Sequence, residues 1–158
     1  MRNKDIIINA SERKVKIDKE ILDKMYMYKQ LRFRDKEAGG ILIGREEKNT
    51  GNWFIEYATE PYPKDRRGRY YFDRKDKQHI YFYKRLYEEN FQIYAYVGEW
   101  HTHPEDYPNY SSIDIKGWRN IAEEINDIDK TYFHIIVGRK DIGVWEYIQK
   151  IDRALRIY

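Results

Sequence analysis

Two histidines two residues apart, His101 and His103, open the part of the chain best equipped for chemistry, EWHTHPEDYPNYSSID (99–114). Ser111 follows eight positions after His103, and Asp114 three beyond that. If the residues before Pro104 form a strand, side chains at i and i+2 share a face, so both imidazoles can reach one ion. Asp114 could supply a third ligand and leave a fourth position for water, the layout of a catalytic rather than a structural zinc site. Each part also has a plainer explanation. Asp114 suits the first turn of a helix, where the dipole favours an acid, and S-x-x-D is close to a capping box. The combination argues for function more than the parts do. A metal-dependent hydrolase also needs a carboxylate that is not a ligand to take a proton from water. Glu37, Glu99, Glu105 and Asp106 are the candidates, and spacing does not choose among them.

The elements that must position these groups follow from periodicity. FQIYAYVGEWHTH (91–103) reads as a mostly apolar, central strand that stops at a proline, an edge where α/β proteins build sites. PEDYPNY (104–110) is a loop, and Ser111 or Ser112 caps a helix to about Asn126, with Ile115, Trp118, Ile121, Ala122 and Ile125 on one stripe. Upstream, DIIIN (5–9) and KVKID (14–18) read as short strands around a turn at Ser11, and Asp18–Phe33 as an amphipathic helix with Asp18 as N-cap. Gly39 and Gly40 precede a buried strand, ILIG, giving a hairpin of Ile41–Glu46 with Trp53–Thr59. KDRRGR (64–69) is a basic loop, RYYFD (69–73) a short strand or ordered segment, and 75–90 a second helix. TYFHIIVG (131–138) and IGVWEYI (142–148) close the chain as a hairpin. The pattern predicts one α/β domain over residues 1–158, a mixed sheet flanked by about three helices.

Composition sets the limits. Charged residues at 36% and a mean hydropathy of −0.95 would suit disorder, but 16 Tyr and 4 Trp supply buried ring area that hydropathy scales undervalue, so the chain is globular. Thirty basic and 27 acidic residues are interspersed, which argues against a nucleic-acid partner. With no cysteine, disulfides, thiolate metal sites and the cytidine-deaminase type of zinc site are excluded. The absence of an apolar run of membrane-spanning length or a secretory signal fits a cytoplasmic protein with no membrane partner.

Glu37 in EAGGILIG, then HTHP, then SSID closely resembles the signature of the JAMM (MPN+ or JAB) zinc metalloprotease family: Glu, H-x-H, seven residues, S-x-x-D. Every position is filled, by Glu37, His101, His103, Ser111 and Asp114, and the resemblance runs from about Glu37 to Tyr147. The residue before the serine is commonly proline in the family; here it is Tyr110, which bears on the loop's stiffness more than its chemistry. The resemblance implies the MPN fold and one catalytic Zn²⁺ held by His101, His103 and Asp114. It further implies Glu37 as general base and Ser111 as hydrogen-bond donor to the oxyanion, with Glu99 in support. VGEWHTHP and GGILIG look most like compact bacterial members from antiphage (CBASS-type) and ubiquitin-like operons. Those are isopeptidases or peptidases acting at the C-terminus of a ubiquitin-like or similarly conjugated protein, with E1- or E2-like operon partners. A peptidase trimming a sulfur-carrier C-terminus and a non-catalytic MPN scaffold are the alternatives. His79 and His134 read as structural, Trp100 and Trp118 as core, and KDRRGR as a solvated loop or a contact for an acidic partner or nucleic acid.

Overall fold

The computed structural model describes residues 4–10 and 12–158, so the turn expected at Ser11 lies outside the described residues. Among these residues the chain forms a mixed eight-stranded sheet, a separate two-stranded hairpin and three α-helices. The strands are β1 (Ile6–Ala10), β2 (Arg13–Ile17), β3 (Gly39–Glu47), β4 (Asn52–Ala58), β5 (Arg66–Gly68), β6 (Tyr71–Asp73), β7 (Ala95–Thr102), β8 (Thr131–Val137), β9 (Ile142–Ile148) and β10 (Arg153–Arg156). The helices are α1 (Lys19–Tyr26), α2 (Gln78–Glu89) and α3 (Ser112–Ile125). The large sheet runs β1-β2-β4-β3-β7-β8-β9-β10, with β2–β4 and β7–β8 parallel and the other pairs antiparallel. The α/β class with a mixed sheet and three helices is the one expected. None of the helices is long and apolar enough to cross a membrane.

Period-two alternation gives the sheet two apolar faces. Leu42, Ile55, Phe133, Ile135 and Val137 face one core with Ile21, Leu22 and Met25 of α1. Ile41 and Ile43 face the other way onto Leu86 of α2, and Tyr132, Ile136, Trp145 and Tyr147 onto Trp118 and Ala122 of α3. The sheet curls around the α1 core, so that Trp53 of β4 meets Phe133 of β8 at 6.3 Å between ring centroids. Arg13 of β2 ion-pairs with Glu146 of β9 across the same closure.

Three expectations are corrected. The helix read over 18–33 ends at Tyr26, because Gln30 is drawn into the protein. Its amide donates to the carbonyls of Asp35 and Arg69 and accepts from the Thr102 hydroxyl, partners a helical path would not reach, and Leu31 and Phe33 are left exposed. Asp18 is the N-cap by position but makes no side-chain cap bond. The strand read from 91 begins at Ala95, since the chain leaves α2 through Phe91 and Gln92 with φ of 55° and 61°. KDRRGR is not a free loop: Arg66–Gly68 pairs with Tyr71–Asp73 in the small hairpin. Strand β10 was not anticipated.

Candidate metal centre

Strand β7 is fifth of eight and ends at the H-x-H pair. It is aimed by a bulge where the register against β3 shifts between Leu42 and Ile43. Gly98 lies at this bulge with φ 151°, tight against the Phe133 carbonyl, where any side chain would collide with backbone. Beyond Thr102 the loop 104–110 carries the chain to α3. There the Ser111 hydroxyl accepts from Asp114 N–H at 3.1 Å, and Ser111 N–H donates to Asp114 Oδ2 at 2.7 Å. The capping box exists, and it does not compete with a role in binding. It fixes Asp114 with its carboxylate turned to the histidines, while the Ser111 hydroxyl hydrogen stays free to donate.

The three groups converge. His101 Nε2 and His103 Nε2 are 3.0 Å apart, and Asp114 reaches the first through Oδ1 and the second through Oδ2, each at 3.2 Å. Two imidazole nitrogens this close need a proton or a metal ion between their lone pairs, and the carboxylate beside them favours a cation there. Ligands 2.0–2.1 Å from a tetrahedral zinc lie about 3.3 Å from one another, so the triangle fits that ion in its size and donor types. His103 presents its other nitrogen to Glu105, 3.5 Å away, an outer contact of the kind that orients a ligating imidazole.

The electrostatics agree with a cation site. Burial pushes the Asp114 carboxyl up, but the hydrogen bonds from His101 and His103 outweigh it and hold the group well below the usual carboxylate range. Burial lowers His103, yet its bond to Asp114 and the charges of Asp114, Glu37 and Glu105 leave it raised. Glu37 lies in the same cleft and is buried. Desolvation, assisted by Asp114 and Glu105 and opposed by His103, pushes its carboxyl up to about 8. Positive charge in the cluster acts on Glu37 in the direction His103 does, toward the carboxylate that can accept a proton.

The four acids considered as bases now separate. Glu99 shares the histidine face but is neutralised by Arg74 at 2.8 Å. Asp106 is pinned by Arg139 and Lys140, each at 2.8 Å. Glu105 is largely exposed, its side chain half in solvent. Glu37 is buried, faces the cluster and has no ion-pair partner within salt-bridge range among the described residues. Its segment is joined to the histidines through Thr102, the residue between them: Ala38 N–H donates to the Thr102 hydroxyl at 3.0 Å, and Thr102 N–H to the Ala38 carbonyl at 2.9 Å. Gly40, just beyond, allows Thr59 to pack against β3 where a Cβ would meet its carbonyl.

Sequence reasoning gave Thr102 no role, although its place inside H-x-H on an alternating strand puts it on the buried face. It also missed the cleft's walls. An open cleft of about 400 Å³ runs past the cluster, between Tyr70–Phe72 of the small hairpin and Ile113, Trp118 and Ile121 of α3. His79 and His134 do not line it: both are buried, His79 bonded through both nitrogens and His134 stacked on Trp118. Trp100 is core, its indole N–H donating to the Thr59 carbonyl at 2.8 Å.

Residues 18–153 match the profile of a family described as prokaryotic homologs of the JAB domain. The chain belongs to that family. An Escherichia coli (strain TW11681) protein called CD-NTase/cGAS isopeptidase is 33% identical over 156 residues, 98% of this chain and 95% of the relative. A Vibrio cholerae protein of the same description is 34% identical over 136 residues, 85% of this chain and 80% of its own. A solution structure of a Desulfitobacterium hafniense protein superposes with a TM-score of 0.60 over 89% of this chain and 87% of that one; at 14% identity it speaks for the fold alone.

Proposed function

We propose that this JAB-family protein is a zinc-dependent isopeptidase that hydrolyses the amide bond joining the C-terminus of a conjugated protein to an amine. The observation that carries this reading is the convergence of His101, His103 and Asp114 in one cleft with a buried carboxyl, Glu37, that has no ion-pair partner among the described residues. The relatives' description as CD-NTase/cGAS isopeptidases makes a CD-NTase/cGAS-type protein the leading candidate for the conjugated partner. The cytoplasmic antiphage setting and the E1- or E2-like operon partners expected from the sequence belong to the same proposal. The whole chain, 1–158, acts as one domain in this account.

His101 and His103 would hold the ion through Nε2 and Asp114 through its carboxylate. The chemistry zinc supplies when bound is Lewis acidity toward the scissile carbonyl and a water acidified toward neutrality. Glu37 takes a proton from the attacking water on its carboxylate and passes it to the nitrogen of the leaving amine. The carbonyl carbon gains oxygen as the carbon–nitrogen bond breaks, leaving a carboxylate and a free amine. Ser111 donates its hydroxyl hydrogen to the oxyanion while still accepting from Asp114 N–H, so the helix cap keeps the donor aimed. Tyr70–Phe72 and Ile113 line the channel that would take the extended residues next to the bond.

Glu37→Gln is the test. General-base loss should cut cleavage of a CD-NTase joined through its C-terminal residue to a reporter protein by about 10²–10⁴-fold, with zinc content and melting temperature unchanged. Full cleavage by Glu37→Gln would remove Glu37 from the mechanism.

A further inference from the structure

Glu37 is not part of any strand, so its carboxylate is aimed by whatever holds the peptide groups on either side of it. Those holds come from two directions. Both backbone groups of Ala38 are taken by Thr102. Both backbone groups of Glu37 are taken by the small β5–β6 hairpin: Glu37 N–H donates to the Gly68 carbonyl at 2.7 Å, and Arg67 Nε–H donates to the Glu37 carbonyl at 2.7 Å. A second Arg67 nitrogen approaches the Lys36 carbonyl at 3.4 Å, and the guanidinium lies 5.8 Å from the centre of the Tyr28 ring. Tyr28 in turn rests against the buried Trp100 and hydrogen-bonds Glu60. Arg67, one of three arginines in the basic run of the sequence, is therefore turned inward onto the backbone of Glu37.

The hairpin is itself anchored. Asp65, at the foot of β5, has a fully buried side chain that bonds His79 Nε2 at 2.7 Å and accepts from the N–H groups of Tyr62, Lys75 and Asp76. The other nitrogen of His79 meets the Thr59 hydroxyl at 2.6 Å, and that hydroxyl accepts from Ile41 N–H of β3. The strap over residues 60–77 is thus tied to the sheet at its base and to Glu37 at its tip.

We infer that Arg67 is a positioning residue for the hydrolysis: it fixes the Glu37 peptide from the hairpin that also walls the cleft. The inference rests on Glu37 being the base. A planar, rigid fork held over an aromatic ring is suited to this, because it loses little freedom in making the bond and cannot give up its charge. Displacement of a reacting group by about 1 Å costs on the order of 10²-fold in rate, so a loosened Glu37 peptide reads out in turnover and not in substrate or metal affinity.

The experiment uses the full chain and compares wild type with Arg67→Ala and Arg67→Lys. Steady-state cleavage of the C-terminally joined CD-NTase reporter gives kcat and KM, metal analysis gives zinc per chain, and amide hydrogen exchange is followed at Glu37 and Ala38. Arg67→Ala should lower kcat about 10–100-fold with KM and zinc content unchanged. Exchange should rise at the Glu37 amide and stay slow at Ala38, which Thr102 holds. Added guanidinium ion should recover part of the lost kcat, and Arg67→Lys, with a single ammonium nitrogen on a flexible stem, should fall between. If Arg67→Ala does not fold, Arg67→Lys carries the same comparison. Unchanged kcat and unchanged Glu37 exchange would overturn the inference, as would a loss that follows KM or zinc content. Wild type that cleaves nothing would overturn the isopeptidase reading instead, and the exchange comparison would still decide what Arg67 does to Glu37.

Discussion

At the end of β7, two histidines turn Nε2 atoms toward each other at 3.0 Å with a carboxylate closing the triangle; at the start of α2, His79 gives each nitrogen a separate partner. Both places combine imidazole, carboxylate and hydroxyl, and both are largely buried. They differ in whether the donor atoms are satisfied by the protein itself. Around His79 the Thr59 hydroxyl, the Asp65 carboxylate and three backbone N–H groups leave nothing over. Around His101 and His103 the two Nε2 atoms have, among the described residues, only one another and Asp114. A cluster whose acceptors converge calls for a cation, whereas one whose acceptors are each paired is a fastening.

Exchanging the two histidine types by mutation is the strongest way to break this contrast. His103→Ala should abolish zinc binding and bring cleavage to background while the apo fold keeps its melting temperature, as metal analysis, reporter cleavage and calorimetry would show. His79→Ala should do the reverse: it leaves the Asp65 carboxylate buried without its imidazole and costs about 3 kcal/mol in denaturant unfolding, yet the folded protein still takes one zinc. If His79→Ala lost zinc or His103→Ala kept it, the distinction would fail.

A smaller effect sharpens it from the side of pH. His134 stacks on Trp118, with centroids 4.4 Å apart and planes within 3°, and its Nδ1 accepts from Glu99 N–H at 3.2 Å. Among the described residues its Nε2 has no hydrogen-bond partner, and burial, helped by the nearby charge of His101, drives its pKa down to about 3. The folded-state value lies below the ordinary 6.5, so as pH falls the unfolded chain takes up this proton first. Stability from this group is complete above pH 6.5 and declines by a few kcal/mol toward pH 3. His134→Phe, which keeps the stack, should flatten that part of the urea-unfolding profile; an unchanged slope would mean the ring is protonated in the fold.

Much of this was legible because it is local. The H-x-H alternation, the proline stop and the S-x-x-D box lie within 16 residues, and each sets its own geometry by strand pleat or helix cap. The flanking elements α3, β8 and β9 were visible in their apolar periodicity for the same reason. Legibility failed where a distant partner decides. Asp18–Phe33 has helical spacing throughout, but Gln30 is claimed by Asp35, Arg69 and Thr102, two of them over 30 residues away. KDRRGR has the composition of a solvated loop, and nothing local reveals that Asp65 pairs with His79 or that Arg67 reaches the Glu37 carbonyl. Glu37 could be selected from four acids only through the family signature; the physical grounds, burial without a cation and the ion pairs that occupy Glu99 and Asp106, belong to the folded chain.

The central claim is that hydrolysis depends on one zinc held by His101, His103 and Asp114. Chelator-stripped protein should cleave the C-terminally joined CD-NTase reporter at background rate and recover full activity as zinc is titrated in, with the break at one equivalent per chain. Undiminished cleavage by protein stripped of metal, or a titration that saturates without restoring activity, would contradict it.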